Sequence, residues 1–246
     1  MAKRGPDEAF LLVDGYDVGS ETLEFSINKR ALTEEDTGLG DTDETHAVVG
    51  VDGGDLTQRA FYDDTANKTE DELIPAARLG ALRVVAALES GNTAGRDMSL
   101  LSARQANVAT LPGRGELTKV EAAFLPSGPI DEGKIIQALA AQTGAGASSD
   151  GSLDNAGSSS NGGIGILQVT ALTLGGYTSI DIKIQDSAND STWADLVAFT
   201  ATATAPSAEI SAAVTGTVDR YLRAFITLTG SGSSQSITML VAFARR

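Results

Sequence analysis

The chain has 246 residues, of which 41% are hydrophobic, 5% aromatic and 21% charged, so it can build one large or two modest packed domains. It contains no cysteine and one histidine, which excludes disulfide scaffolds, thiolate zinc sites, iron–sulfur clusters and multi-histidine metal centres. A formal net charge of −15 argues against a protein that binds the phosphates of nucleic acid.

The N-terminal segment has two basic residues but no apolar stretch behind them, because Asp7 and Glu8 follow at once. A secretory signal is therefore not expected. No stretch of the sequence approaches the roughly 18 apolar residues that a membrane-spanning helix needs. We expect a protein that is made in the cytoplasm and stays soluble or assembles there.

Acidic residues are concentrated at the start of the chain. Residues 1–72 hold 19 of the 33 acidic and 6 of the 18 basic residues, and the densest run lies at 33–44. Such a run repels itself and does not form a core. The sequence leaves three interpretations open: a solvated loop, a generally acidic surface, or a surface that repels a polyanion.

Alternating apolar and polar residues predict strands in both halves of the chain. One apolar face and one polar face are typical of an antiparallel sheet packed on one side. The apolar positions of these strands, in chain order, are Leu23, Phe25 and Ile27; Val120, Ala122 and Phe124; Ile180, Ile182 and Ile184; Leu222, Ala224, Ile226 and Leu228; and Ile237, Met239, Val241 and Phe243.

Helical signals are few. Thr69, Glu70, Asp71 and Glu72 form a capping-box pattern, and Pro75 predicts that this helix is short or begins at the proline. A further helical turn or two is predicted within 129–142, starting near Asp131. The fold class is therefore mostly β with one or two short helices.

A change of composition divides the chain into three blocks. Residues 143–163 are rich in glycine and serine and are predicted to form a flexible linker or long loop. They separate a first β domain at 1–142 from a second patterned block at 164–246.

Residue patterns for catalysis or metal binding are weak. No phosphate-binding glycine loop or nucleophile elbow occurs, and His46 lies among carboxylates without a matched serine. Asx-rich segments could offer oxygen ligands to calcium, but none matches the EF-hand loop, and such segments form turns for backbone reasons. Trp193 is interpreted as a core or interface anchor. We expect no enzyme activity, no cofactor and no metal.

The order of several segments resembles the tail tube proteins (major tail proteins) of long-tailed bacteriophages, especially those of actinobacterial phages. The segments are LVDGYDV at 12–18, LEFSINKR at 23–30, GLGD at 38–41, GVDGG at 50–54, AFYDD at 60–64 and GELTKVEAAF at 115–124. Residues 181–196 and 218–224 are similar to a β module often joined to such proteins. The chain departs from the family pattern at Ala60 and Asn189.

The resemblance implies a tail-tube β-sandwich or barrel with a short helix at 1–142 and a C-terminal β-sandwich domain at 164–246. It implies hexameric rings that stack into a hollow tube in the virion, with strands of six copies joined in one inner barrel. Double-stranded DNA would pass through without specific binding, and the tube would meet tail tip or baseplate, tape measure and tail terminator proteins. No membrane partner is implied.

Residue roles follow from the resemblance together with the charge pattern. The lumen candidates are Glu34, Glu35, Asp36, Asp41, Asp43 and Glu44. The candidates for contacts with the adjacent ring are Thr37, Gly38, Leu39, Gly40 and His46. Trp193 is the predicted core anchor of the C-terminal module.

Three alternatives stay open. The chain could be another virion component, such as a decoration or tail terminator protein that forms a single ring or a trimer. Residues 164–246 could form a carbohydrate-binding module. An enzyme would depend on His46 or on a pair of carboxylates.

Overall fold

A computed structural model describes residues 10–30, 33–35, 46–48, 53–66, 68–75 and 78–246. These residues form antiparallel sheets and a single short helix, which confirms the mostly-β fold class. The strands are β1 (Phe10–Val13), β2 (Tyr16–Asp17), β3 (Thr22–Arg30), β4 (Thr33–Glu35), β5 (His46–Val48), β6 (Gly53–Phe61), β7 (Leu82–Leu88), β8 (Asp97–Leu111), β9 (Lys119–Pro126), β10 (Asp131–Gln142), β11 (Gly146–Asp154), β12 (Gly163–Thr173), β13 (Ser179–Ser187), β14 (Ala194–Ala198), β15 (Ser207–Ile210), β16 (Tyr221–Thr229) and β17 (Ser236–Arg245), and the helix is α1 (Thr69–Leu73).

The centre of the molecule is a sheet whose two ends curl towards each other. Its strand order is β15-β12-β17-β10-β8-β7-β1-β2. Gln168 of β12 bridges the two ends, because its Oε1 accepts from Gly15 N at 2.6 Å and its Nε2 donates to Val84 O at 3.0 Å. One face of the curled sheet encloses apolar side chains from β1, β7, β8, β10, β12 and β17.

Gly15 allows the close approach at this seam. Its φ of +83° lies in the left-handed region, and a Cβ at this position would meet backbone atoms of Ser207 and Val169 at 2.5 Å. Only glycine combines that backbone conformation with that contact distance. The β1–β2 turn can therefore lie directly against β12 and β15.

A four-stranded sheet, β11-β16-β13-β14, covers β10, β12 and β17 from outside. The predicted alternation is confirmed here, since Ile180, Ile182 and Ile184 are all fully buried. The apolar positions of β16 and β17 also face this core, in which two sheets pack face to face.

The other flank of the molecule is formed by β3, β6, β9 and α1, which cover the outer face of β1, β7 and β8. The strand predicted around Val120, Ala122 and Phe124 is confirmed, and its apolar residues are buried in this core. The helix predicted from the 69–72 pattern is also confirmed as a short one. Its capping box is not formed, because the Thr69 hydroxyl donates to Phe61 O at 2.9 Å instead.

A buried ion-pair network fastens α1 to the sheet. The guanidinium of Arg83 contacts the carboxylates of Glu72 and Asp14 and donates to Gln105 Oε1 at 2.9 Å. Arg83 and Glu72 are 1% and 0% exposed. Arg78 Nη2 reaches the second oxygen of Glu72 at 3.1 Å.

The second helix predicted near Asp131 is wrong, because 131–142 form strand β10. The segment is rich in alanine and isoleucine, and helix propensity is a weak preference that tertiary contacts override. Here β10 pairs with β8 on one side and with β17 on the other. In the described part of the chain, no helix is long and apolar enough to span a membrane.

The structure also differs from the predicted linker at 143–163 and from the domain boundaries around it. Within that segment Gly146–Asp154 form β11, which pairs with β16. Strands from both sides of the predicted linker share the central sheet, since β10 pairs with β17. Glycine and serine are uncommon in strands, and here the pairing of β11 with β16 overrides that preference.

Candidate assembly surface

Two strand edges on the flank formed by β3, β6 and β9 lack a partner in the part of the chain that the structure describes. Strand β3 pairs with β6 alone. Strand β8 pairs with β7 only as far as Arg104, so that 105–111 have β9 on one side and, on the other, only a bond from Gly80 N to Gln105 O at 2.8 Å. Unpaired edges are templates for pairing with another chain.

The two open edges have complementary directions. Neighbouring strands in the order β3-β6-β9-β8 are all antiparallel. Because the number of strands is even, β8 runs opposite to β3. Head-to-tail addition of a second copy, with its β3 beside the open part of β8, would therefore continue the same antiparallel pattern.

Large apolar side chains lie exposed near both edges. Leu23 of β3 is 40% exposed, and Leu79 and Leu82, which flank the open part of β8, are 44% and 55% exposed. Two more exposed leucines, Leu111 and Leu117, lie at the end of the β8–β9 hairpin. Exposed apolar side chains grouped at a strand edge are typical of interaction surfaces.

One face of the β3-β6-β9-β8 sheet covers the apolar core, and the opposite face, here called the polar face, is open. It surrounds a depression of about 580 Å³. Polar side chains pair in rows across its strands. Ser26 and Thr57 hydroxyls lie 2.8 Å apart, and Asn28 Nδ2 donates to Asp55 Oδ2 at 3.0 Å.

A charged row crosses the polar face beside the Ser26–Thr57 row. Glu24 of β3 and Glu121 of β9 lie directly opposite Arg59 of β6. Arg59 Nη1 lies 3.6 Å from Glu24 Oε1, and its Nε lies 3.2 Å from Glu121 Oε1. All three side chains are between 40% and 70% exposed, so this row is open to solvent.

The described part of the polar face is not strongly acidic. Strand alternation places three acids and four bases on it, and contacts are described for three of the bases, including Arg59. Arg104 donates to Gly80 O at 2.6 Å, and Lys119 lies 3.6 Å from Glu116. The acids are Glu24, Asp55 and Glu121, and the bases are Arg30, Arg59, Arg104 and Lys119.

The structure describes only some of the residues predicted for the lumen and for ring contacts. Glu34 and Glu35 lie in β4 and His46 lies in β5, which pair as a separate two-stranded ladder with Glu35 opposite His46. Their side chains are not described. The other candidates lie outside the described residues: Asp36, Thr37, Gly38, Leu39, Gly40, Asp41, Asp43 and Glu44.

Trp193 is not in the core of the C-terminal sheets. It is half-buried on the outer face of the four-stranded sheet, where its ring lies 4.2 Å from the guanidinium carbon of Arg223. Arg223 also lies over Phe225 and donates to Gln185 Oε1, and burial lowers its pKa. The Gln185 amide and Lys183 both bond Asp195 and lower the pKa of its carboxyl.

The sequence indicated only part of this site. Alternation in β3 predicted that Glu24, Ser26 and Asn28 share a polar face. It did not indicate that Arg59 and Glu121 complete a row with Glu24, because that row depends on strand pairing between distant segments. The described residues hold no group of three or more potential metal ligands.

No protein-family model and no curated protein matches the chain. Among solved structures, it is similar to the tail of an empty gene transfer agent particle with C6 symmetry, at 14% identity and a TM-score of 0.40 over 52% of this chain and 97% of that one. A chain from the virion of the native gene transfer agent is similar at 13% identity and 0.40, over 53% and 98%. The SPP1 Dit protein is similar at 11% identity and 0.35, over 96% and 98%. All three TM-scores are below the range in which two chains share one fold.

Proposed function

We propose that this chain is a structural virion protein that assembles into hexameric rings, and that the rings stack into the tube of a phage tail. The observation that carries the proposal is the pair of complementary open edges on β3 and β8. Ring closure pairs every such edge without further structure to cover it. The proposal of six copies comes from the resemblance of the segment order to tail tube proteins.

The polar face would line the bore. The opposite face of the same sheet is covered by β1, β7 and α1, so it has to lie on the outside of any closed barrel. Six copies of four strands, at about 4.8 Å spacing and about 40° tilt, give a backbone diameter of about 50 Å. Such a bore is wider than a DNA duplex, and DNA would pass through it during ejection.

The acidic segment at 33–44 and the β4–β5 ladder would serve the lumen and the contacts between rings. We assign Thr37 to Gly40 and His46 to contacts with the adjacent ring, and the acids between Glu34 and Glu44 to the mouth or wall of the lumen. The tape measure protein would occupy the bore before ejection, and the tail tip and terminator proteins would bind the two ends of the tube.

Two alternatives make different predictions. A tail terminator or decoration protein would form one ring or a trimer, and it would not stack. A carbohydrate-binding module needs an aromatic platform open to the sugar, whereas Trp193 is half-buried beside Arg223. That contact favours a structural role for Trp193.

The test is electron microscopy of the purified full-length protein after concentration. We expect rings and long hollow rods in negative stain, with a six-fold pattern in end views and fast-sedimenting material in the ultracentrifuge. A protein that stays monomeric over a wide range of salt and pH would contradict the proposal. Single rings that never stack would favour the terminator alternative.

Cysteine cross-linking tests which edges meet. The chain has no cysteine, so introduced pairs report without background. We expect the variant with Ser26→Cys on β3 and either Asn107→Cys or Ala109→Cys on β8 to give, after mild oxidation, a ladder of covalent species that ends at the hexamer. Each single variant should stop at dimers. A pair that gives no ladder in assembled rings would show that other edges form the ring.

A further inference from the structure

The charged row on the polar face presents a problem for a conduit. Arginine is a strong phosphate ligand, and Arg59 is 40% exposed in the middle of the sheet that would face DNA. An arginine at one height in each of six copies would form a basic belt. Such a belt would release counterions from DNA and hold the duplex in place.

The contacts of Arg59 resolve this problem. Its side chain is engaged from both neighbouring strands, through Nη1 by Glu24 at 3.6 Å and through Nε by Glu121 at 3.2 Å. The Nε atom itself is buried and makes no hydrogen bond within the described residues, so its contact with Glu121 is an ion pair. The next position of the row, on β8, is Ala109, which adds no charge. Each copy therefore contributes two glutamates and one arginine, a net of one negative charge.

We infer that Glu24 and Glu121 keep Arg59 from binding the phosphates of duplex DNA, so that the row works as a non-adhesive belt around the bore. The inference rests on the proposed function, because it needs the polar face to line a tube. It concerns this row alone, whose lack of adhesion it assigns to local charge pairing; Arg104 lies outside the row and donates to a backbone carbonyl. Opposite charges directly across paired strands attract each other and hold this arrangement.

The test frees Arg59 by replacing both of its partners. The variant E24Q/E121Q changes the charge of each row from one negative to one positive without a large change of side-chain size. Assembled tubes of the full chain are incubated with short linear duplex DNA and treated with nuclease. The protected DNA that sediments with the tubes is then measured over a range of salt.

The DNA that wild-type tubes protect sets the baseline. Tubes of E24Q/E121Q should protect at least ten times more at low salt, and the protection should disappear as salt rises, with a log–log slope that grows by about 0.9 for each phosphate contact. The variant R59Q, which removes the cation, should protect as little as wild type.

A matched control removes the same charge from another surface. Asp195 pairs with Lys183 on the four-stranded sheet, and Asp181 accepts a hydrogen bond from Thr229 on the same sheet. The variant D181N/D195N therefore loses two negative charges and frees a lysine away from the polar face. It should protect no more DNA than wild type. If E24Q/E121Q does not assemble, the single variants E24Q and E121Q should each give a smaller increase.

The outcomes separate this inference from the proposed function. Tubes of the Arg59-freeing variants that protect no more DNA than wild type would overturn the inference and leave the tube intact. Wild-type protein that forms no tubes would overturn the proposed function itself.

Discussion

Replacing Arg83 with methionine is expected to lower the free energy of unfolding by about 3–5 kcal/mol. Removing the guanidinium leaves the carboxylate of Glu72 fully buried beside an apolar side chain. A charge left buried without its partner costs far more than the loss of an exposed ion pair. Because Arg78 still reaches Glu72 at 3.1 Å, we expect a value near the lower end of that range. Urea unfolding followed by circular dichroism measures the change.

Two variants control for the loss of an arginine as such. Arg114 lies in the exposed β8–β9 hairpin, and R114M should change stability by no more than about 0.5 kcal/mol. The double variant E72L/R83M removes both charges of the buried pair and should recover part of the loss. Stability of R83M within about 0.5 kcal/mol of wild type would mean that the network does not fasten α1 to the sheet.

The buried ion-pair network around Arg83 also contacts the open part of β8. Gln105, which accepts from Arg83, is the first residue of the unpaired part of β8, and its side-chain amide donates to Leu73 O at the end of α1. The buried ion pairs thus hold the helix and the open edge in one arrangement. An edge that is fixed before assembly loses less conformational entropy when a second copy pairs with it.

Hydrophobic alternation predicted correctly those strands in which apolar residues recur at every second position. Ile180, Ile182 and Ile184 are fully buried, and so are Val120 and Phe124. In β3 the same pattern predicted the strand, although Leu23 is 40% exposed on it. Leu23 lies on the open edge strand β3, where the proposed ring would place a neighbouring copy.

Strands that depend on distant partners were not predictable from local sequence. In β10, Lys134 pairs with Phe243 and Gln142 with Ile237, across two bulges that break the alternation. In β11, Gly146 pairs with Ile226, although its own segment looks like a linker. The position of Trp193 also depended on a distant residue, Arg223, which binds the ring on the outer face of the sheet.

The sequence predicted the candidate assembly surface only in part. The resemblance indicated a tube, and the alternation of β3 indicated a polar wall strand. The sequence predicted lumen acids within 33–44, whereas the described polar face carries a nearly balanced set of charges in rows. Such rows require the registers of β3, β6 and β9, and register between distant strands is set by packing rather than by local sequence.

Replacing Leu82 with lysine is expected to abolish ring and tube formation while leaving the monomer folded. Leu82 is 55% exposed beside the open part of β8, so its replacement removes little packing within one copy. In the proposed ring the side chain would be buried against β3 of the next copy, and a lysine there loses about 1.5 kcal/mol or more of apolar burial. Because closure needs all six contacts, the loss applies at each one and amounts to about 9 kcal/mol per ring.

Sedimentation and negative-stain microscopy measure the loss of assembly, and circular dichroism and urea unfolding confirm the folded monomer. Ala194 is exposed on the four-stranded sheet, so A194K adds the same charge away from both edges and should assemble like wild type. L23K, on the opposite open edge, should fail as L82K does, because both edges belong to one head-to-tail contact. Tubes formed by L82K at the wild-type concentration would mean that copies meet through a surface other than the β3 and β8 edges, even if rods are the natural form of the protein.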